Sequence, residues 1–370
     1  MPPPNPLLPG DPAPWFRAAA LGGSPAYEFS SVAGRHILML FYASAGMAPS
    51  QRALATVAGN RDLFDDHNAC FFGICTDPRD AEGGRIAQAI PGIRFFLDYD
   101  HAVSALYGAA SDEQYHPHWL LLDPGLRVLR RFPLADGAEA IALLRGIVAA
   151  GAQEGAAPAL VVPNVFEPDF CRELIALYEA DGGQDSGFMR DVEGKTVLMV
   201  DPAHKRRRDW EIADTELRRR IVARLNRRLS PAIERAFQFK PTRIERYIVA
   251  CYDESGGYFR PHRDNTTRGT AHRKFAVTMN LNAGDYEGGD LRFPEYGRRT
   301  YRAPTGGAVV FSCALLHEAT PVAKGRRYAF LPFLYDEEAA QVRLSNNPHL
   351  GEGVAAYKMG GAGEEADAED

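Results

Sequence analysis

The sequence predicts an open α/β domain followed by an antiparallel double-sheet barrel with helices packed outside it. Three observations carry this. Apolar runs of strand length alternate with helix-like stretches through the first half. The second half opens with two amphipathic stretches and continues as short β-like runs separated by Gly, Pro, Asn or Asp turns. Between the halves lies GIVAAGAQEGAAPA, Gly146 to Ala159, rich in Ala and Gly and poor in apolar periodicity.

Taken in order, the buried strands of the first half are HILMLFY (His36 to Tyr42), ACFFGIC (Ala69 to Cys75), IRFFLD (Ile93 to Asp98) and HWLLLD (His118 to Asp123). Their near-continuous apolar character suits strands covered on both faces by helices such as SQRALATVAGNRDLFDD. In the second half DFCRELIALYEADG and DTELRRRIVARLNRRL read as helices, and IERYIVACY, FAVTMNLN, GGDLRF, GGAVVFS and RRYAFLPFLY as strands. The expected organisation is a first domain over 1–145, a linker over 146–159, a second domain over 160–337 and a tail over 338–370.

A chain of 370 residues can bury two cores of ordinary size. The formal net charge of −6 is dominated by five carboxylates in the last seven residues, so the charge names no partner and the end reads as a solvated tail. No stretch has the length and apolarity of a membrane span, and the start lacks the basic and apolar regions of a secretory signal. Five cysteines, none in a CxxC pair, predict reduced thiols and a cytoplasmic setting.

Chemistry concentrates in GGYFRPHRDN, which ends His262-Arg263-Asp264. In extended backbone, positions i and i+2 project to one side, so an imidazole and a carboxylate can share a metal there. SCALLHEATPV supplies His317 at the end of a later β run. Two His and one carboxylate on one face of an octahedron are the donor set of non-haem Fe(II) oxygenases. Ten residues beyond His317, Arg327 falls on a strand face with Ala329, Leu331 and Phe333. A guanidinium on an apolar face calls for an anionic partner, and its planar fork suits a carboxylate. Neighbouring Arg326 reads as a surface residue.

With these residues in place, VACYDESGGYFRPHRDN, LNAGDYEGGDLRF and LLHEATPVAKGRRYA resemble the prolyl-hydroxylase branch of 2-oxoglutarate- and Fe(II)-dependent oxygenases, the hypoxia-factor prolyl hydroxylases in particular. The resemblance covers roughly Leu160 to Glu337. It implies a double-stranded β-helix (jelly-roll) and oxidative decarboxylation of 2-oxoglutarate to succinate and CO2, coupled to hydroxylation of a C–H bond. Cofactors implied are Fe(II), 2-oxoglutarate and O2, with ascorbate as a supporting reductant. His262, Asp264 and His317 then match the iron ligands, Arg327 the 2-oxoglutarate anchor, and Tyr252 a tyrosine hydrogen-bonded to 2-oxoglutarate. Two departures stand out: Asn280 where the family has a second Tyr before Leu-Asn, and Leu331 where it has a Thr. The carboxylate of Asp264 argues against a halogenase, which needs that coordination position for halide. The expected substrate is a protein or peptide side chain, prolyl residues included, or a small metabolite.

Other residues carry less. His272 and Arg273 read as a solvated loop, with a place on the pocket rim as the alternative, and Asn265 as a turn cap. Lys205 to Arg208 and the Arg-rich helix after it read as a solvated face, with no nucleic acid expected. A competing proposal for Lys205 to Arg208 is contact with an anionic substrate at the mouth of the site.

GDPAPWF, HILMLFYASAGMAPSQRAL, GICTD, FLDYDHAVSALYG and HWLLLDP resemble a peroxiredoxin of thioredoxin-like fold over about Gly10 to Leu134. Met47 and Ser50 stand where that family has its Thr and reactive Cys, and His116 or Pro117 near its Arg. The resemblance implies a non-catalytic redoxin module, acting as scaffold, substrate-recruitment surface or homodimer interface. Cys70 and Cys75 read as buried structural thiols. A redox or scaffold protein with a regulatory barrel is the competing function.

Overall fold

The computed structural model describes residues 6–111, 114–151 and 155–359. The chain divides into two compact units, residues 1–155 with 294–298, and residues 156–293 with 299–370.

In the first unit the strands His36–Tyr42, Ala69–Cys75 and Ile93–Leu97 pair in parallel, and His118–Leu122 and Val128–Pro133 add antiparallel on the other side of His36–Tyr42. Arg17–Ala20 and Tyr27–Glu28 complete a seven-stranded sheet. This is the thioredoxin-like, peroxiredoxin-like arrangement expected. Both faces of the central strand are covered: Leu38, Leu40 and Tyr42 pack with Trp119 and Leu144, whereas Phe72 and Phe96 stack at 4.9 Å on the opposite side. That double burial is why these strands read as unbroken apolar runs.

The helix Gly137–Ala150 corrects the expected linker, because it continues through Ala150. Alanine is the best helix former, and Ile141, Leu144 and Ile147 give the run an apolar stripe against the sheet, enough to offset the ~1 kcal/mol penalty at Gly146. The units separate between Gly155 and Ala156.

The second unit is a jelly-roll, the double-stranded β-helix. Its larger sheet has ten strands, with Phe275–Asn280, Val322–Phe330 and Ile248–Asp253 neighbouring one another at the centre. The smaller sheet of five orders Lys205–Arg206, Tyr258–His262, His317–Ala319, Leu291–Arg292 and Thr300–Tyr301. Helices Pro168–Asp181 and Thr215–Arg224 cover the outer face of the larger sheet through Phe170, Leu174, Leu217 and Ile221. Arg220 reaches Glu173 at 2.6 Å, and Arg224 and Arg228 reach Glu167 at 2.7 and 2.5 Å, so the Arg-rich stretch ties these helices together.

The tail expected from 338 is also corrected. Glu337–Ser345 is a helix, and Tyr335, Ala339, Ala340 and Tyr357 form a buried cluster. Asn347 clamps Tyr357 with two backbone hydrogen bonds of 2.8 Å. Apolar residues in this stretch are too sparse for periodicity to reveal the packing. The acidic residues 364–370 lie outside the described residues. No helix among the described residues is long and apolar enough to cross a membrane.

Candidate active site

The smaller sheet of the second unit and the turn that follows its strand Tyr258–His262 bring His262, Asp264 and His317 together, with donor atoms all within 4.8 Å of one another. His262 ends one strand and His317 begins its neighbour, as register partners across the smaller sheet. Asp264 follows in the turn, where its backbone N–H donates to the Cys313 carbonyl at 2.9 Å. Its carboxylate oxygens lie 3.5 Å from His262 Nε2 and 3.3 Å from His317 Nε2.

Both rings are oriented from behind. His262 Nδ1 donates to the Arg260 carbonyl at 2.8 Å, and His317 Nδ1 to the Leu315 carbonyl at 3.0 Å. A carbonyl only accepts, so each Nδ1 keeps its proton and each Nε2 is the ring atom turned toward Asp264 and available to a metal. Phe259 stacks on His262 with centroids 3.5 Å apart. Burial, then His317, push the His262 imidazole down to about 4, leaving it neutral at pH 7. Burial opposes ionisation of Asp264, but His317 and His262 hold its carboxyl well below the usual carboxylate range. Two lone pairs and one carboxylate, held in a converging set, fit a divalent metal of the iron type.

These residues line a cleft that is partly open to solvent. Tyr252 and Arg327 are cross-strand partners, and the guanidinium sits 5.0 Å from the centre of the Tyr252 ring. Arg327 is only 3% exposed, and its Nε has no hydrogen-bond partner. Among the described residues no carboxylate pairs with it; the Tyr286 hydroxyl is its neutral neighbour. A buried guanidinium with spare donors fits a 2-oxoglutarate carboxylate. Arg326 points out and pairs with Glu179 at 3.2 Å.

Asn280 is a correction. It lies one residue pair beyond the cavity and donates to the Ala303 carbonyl at 2.8 Å, while Ala276 and Thr278 of the same strand line the space. The three share one side of the strand, and depth along it separates Asn280 from the other two. Thr278 is thus a lining residue that the motif comparison missed.

His272 and Arg273 are also corrected. Neither is solvated: they are 1% and 5% exposed. Glu245 accepts from His272 Nε2 at 2.8 Å and from Arg273 at 2.9 and 2.7 Å. Arg273 also donates to the Asp264 carbonyl at 3.4 Å, and its guanidinium lies 4.1 Å from the centre of the Phe333 ring. It supports the metal-side turn from beneath. Both stand in a loop before the strand Phe275–Asn280, but it is buried, because Glu245, 27 residues away in sequence, meets them there.

Lys205 to Arg208 is not a uniform solvated run. Strand alternation buries Lys205 and Arg207 and exposes Arg206 and Arg208. Arg207 and Arg246 line the cavity, which composition alone could not reveal.

In the first unit, Met47 precedes the helix Ala48–Ala58 and Ser50 is buried in its first turn. Cys70 and Cys75 are free and buried. Burial pushes their thiols up to about 12 and about 11, the opposite of a reactive thiolate. His118, stacked on Phe41 at 4.8 Å, is pushed down to about 4 by burial.

A jelly-roll holding a converging His–Asp–His set is the architecture of a metal-dependent oxygenase. Residues 247–335, within the second unit, match the model of the 2OG-Fe(II) oxygenase superfamily. A PKHD-type hydroxylase from Synechococcus sp. (strain JA-2-3B'a(2-13)) is 31% identical over 108 residues, covering 26% of this chain and 48% of that relative. The chain therefore spans about half the length of that relative. Among solved structures the chain is similar to a prolyl hydroxylase from Trichoplax adhaerens in complex with a hypoxia inducible factor peptide (TM-score 0.39, 19% identity, covering 49% of this chain and 85% of that one). It is also similar to the peroxidoxin BcpB from Mycobacterium tuberculosis (TM-score 0.33, 19% identity, 38% and 98%).

Proposed function

We propose that the protein is a 2-oxoglutarate- and Fe(II)-dependent hydroxylase acting on a C–H bond of a protein or peptide side chain or of a small metabolite. The converging Nε2 atoms of His262 and His317 with the Asp264 carboxylate carry this reading. These three would hold Fe(II), which supplies the oxidising chemistry with O2. The balance is one O2 and one 2-oxoglutarate consumed per C–H converted to C–OH, with succinate and CO2 released. Arg327 anchors the far carboxylate of 2-oxoglutarate and Tyr252 packs against that cation. Arg260 and Leu315 carbonyls fix the tautomers, and Phe259, Phe311 and Leu291 exclude water around the metal-binding atoms. Ascorbate would serve only to keep the metal reduced. Five free, buried cysteines favour a reducing, cytoplasmic setting.

The test is incubation of Fe(II)-loaded protein with 2-oxoglutarate and cell extract. Expected are succinate formation and products heavier by one oxygen. Wild-type protein that neither binds 2-oxoglutarate nor forms succinate overturns the assignment.

A further inference from the structure

Beyond the metal set and Arg327, the cavity is lined by two more guanidinium groups, those of Arg207 and Arg246. Their shared counter-ion is Asp209. Arg207 engages it with both forks, at 2.7 and 2.6 Å, and the Ser186 hydroxyl donates to the same carboxylate. Arg246 reaches it through a single contact of 3.3 Å. A carboxylate offers about four acceptor sites, and Arg207 and Ser186 occupy most of them. Arg246 thus spends one of its five N–H donors on Asp209, with Phe333 5.5 Å away as its aromatic neighbour.

The charges make the same point. The cavity carries three guanidinium cations against Asp264 and the neighbouring Asp209. A bound Fe(II) and a doubly charged 2-oxoglutarate cancel each other, which leaves one positive charge without a counter-ion. Lys205 is not available to a ligand: it is buried, and its Nζ donates to the Ser186 hydroxyl and the Gly187 carbonyl. A partly buried guanidinium in this state attracts an anion, and a carboxylate matches its fork.

We propose that the substrate to be hydroxylated bears a carboxylate, which Arg246 binds from the cavity wall while Asp209, itself fixed by Arg207, holds Arg246 in place. This rests on the hydroxylase assignment above. The carboxylate belongs either to a free amino or organic acid or to the carboxyl terminus of a polypeptide. The two share one recognition chemistry.

The experiment uses the full chain loaded with metal and 2-oxoglutarate. Probes are a pool of the twenty L-amino acids, the same amino acids as carboxamides, and a peptide library ending in either free carboxylate or carboxamide. Two readouts are taken: succinate formed above the probe-free rate, and calorimetric binding with redox-inert Mn(II) or Zn(II) in place of Fe(II). Free carboxylates should bind and be turned over, and their carboxamides should lose roughly ten- to hundred-fold in affinity. Arg246→Gln should raise the substrate KM by a similar factor, well beyond any change in the 2-oxoglutarate KM, and R246K should recover part of it. Arg206→Gln, an exposed change in the same basic run, should leave both constants in place.

Turnover of amino acids alone assigns the carboxylate to a metabolite, and of peptides alone to a polypeptide terminus. Equal binding of acids and amides, or no binding of either, overturns the proposal. So does R246Q with an unchanged substrate KM, or with an effect confined to 2-oxoglutarate. Absence of 2-oxoglutarate binding by the wild type would instead remove the hydroxylase assignment itself.

Discussion

Arg327→Met should make the ligand-free protein more stable and the co-substrate site useless. Arg327 is 3% exposed, and its neighbours are the Tyr252 ring at 5.0 Å and the Tyr286 hydroxyl, both neutral. An unpaired buried charge costs several kcal/mol, and the cation–π contact returns only about 0.5–2 kcal/mol of it. Replacing buried ions by apolar side chains of similar volume commonly gains ~1–4 kcal/mol. The lower part of that range, about 1–2 kcal/mol, applies here because some compensation is present. At ~2–4 °C per kcal/mol for a unit of this size, the melting temperature should rise by about 2–8 °C. Conversely, two charge-assisted hydrogen bonds to a carboxylate at ~1.5–3 kcal/mol each amount to a loss of roughly 10²–10⁴ in 2-oxoglutarate affinity. The assay is thermal unfolding of wild type and R327M, each with and without 2-oxoglutarate and Mn(II). Wild type should gain stability with ligand by mass action, and the variant should start higher and gain little. A variant that melts below wild type and shifts equally with 2-oxoglutarate would refute the reasoning, because Arg327 would then be structural.

Four further outcomes follow. His262→Ala, Asp264→Ala or His317→Ala should each abolish succinate formation and the thermal shift by divalent metal; full turnover in any of them refutes the ligand set. Glu245→Gln leaves Arg273 without its buried counter-ion, so calorimetry should show a loss of about 3–5 kcal/mol, or roughly 6–20 °C. Glu167 is held down to about 2 by Arg228 and then Arg224. Its lowered value stabilises the fold above the ordinary 4.5, and that contribution disappears as pH falls toward 2. Glu167→Gln should therefore narrow the difference between melting temperatures at pH 7 and pH 3, and an unchanged acid limb counts against the pairing. Cys70 and Cys75, raised by burial, should resist a thiol reagent at pH 8 until the protein unfolds, and the first unit should consume no hydroperoxide; rapid native-state labelling of both would contradict their burial.

Which parts were legible in the sequence follows from how local the physics is. His36–Tyr42, Ala69–Cys75 and His118–Leu122 are visible because a strand buried on both faces must be apolar throughout. His262, Asp264, His317 and Arg327 are visible because their donor types are rare together and their order along the β runs is fixed by the fold. Arg273 and Arg246 were not visible. Their roles depend on Glu245 and Asp209, brought close by strand pairing across tens of residues, and no spacing within the motif encodes that meeting. Asn280 differs: its role was implied by the place of a tyrosine in the resembling family, whereas its shorter amide donates to the Ala303 carbonyl. The helix through Ala150 was misread because Ala-rich composition suits a linker and a helix alike, and only the apolar stripe decides.

The charged groups of the second unit separate into closed and open sets, and this distinction carries more than burial alone. Glu245 is closed: His272 and Arg273 give it three hydrogen bonds, and Arg343 stands 4.0 Å away. Such a set fixes a turn and has no capacity left for a ligand. Asp209 is half closed, satisfied by Arg207 but leaving most donors of Arg246 unspent. Arg327 is open, a cation among neutral rings with its Nε unpaired. Folding alone gives no reason to keep an open set, since a buried donor without a partner lowers stability. A partner that arrives later does give one. The closed set lies beneath the metal-binding turn and the open ones line the cavity, so rigidity and vacancy are placed where metal, co-substrate and substrate would each require them. If Arg327→Met and Arg246→Gln both proved neutral for every ligand, the separation itself would be without meaning, and the cavity would have to be read as a packing defect rather than a site.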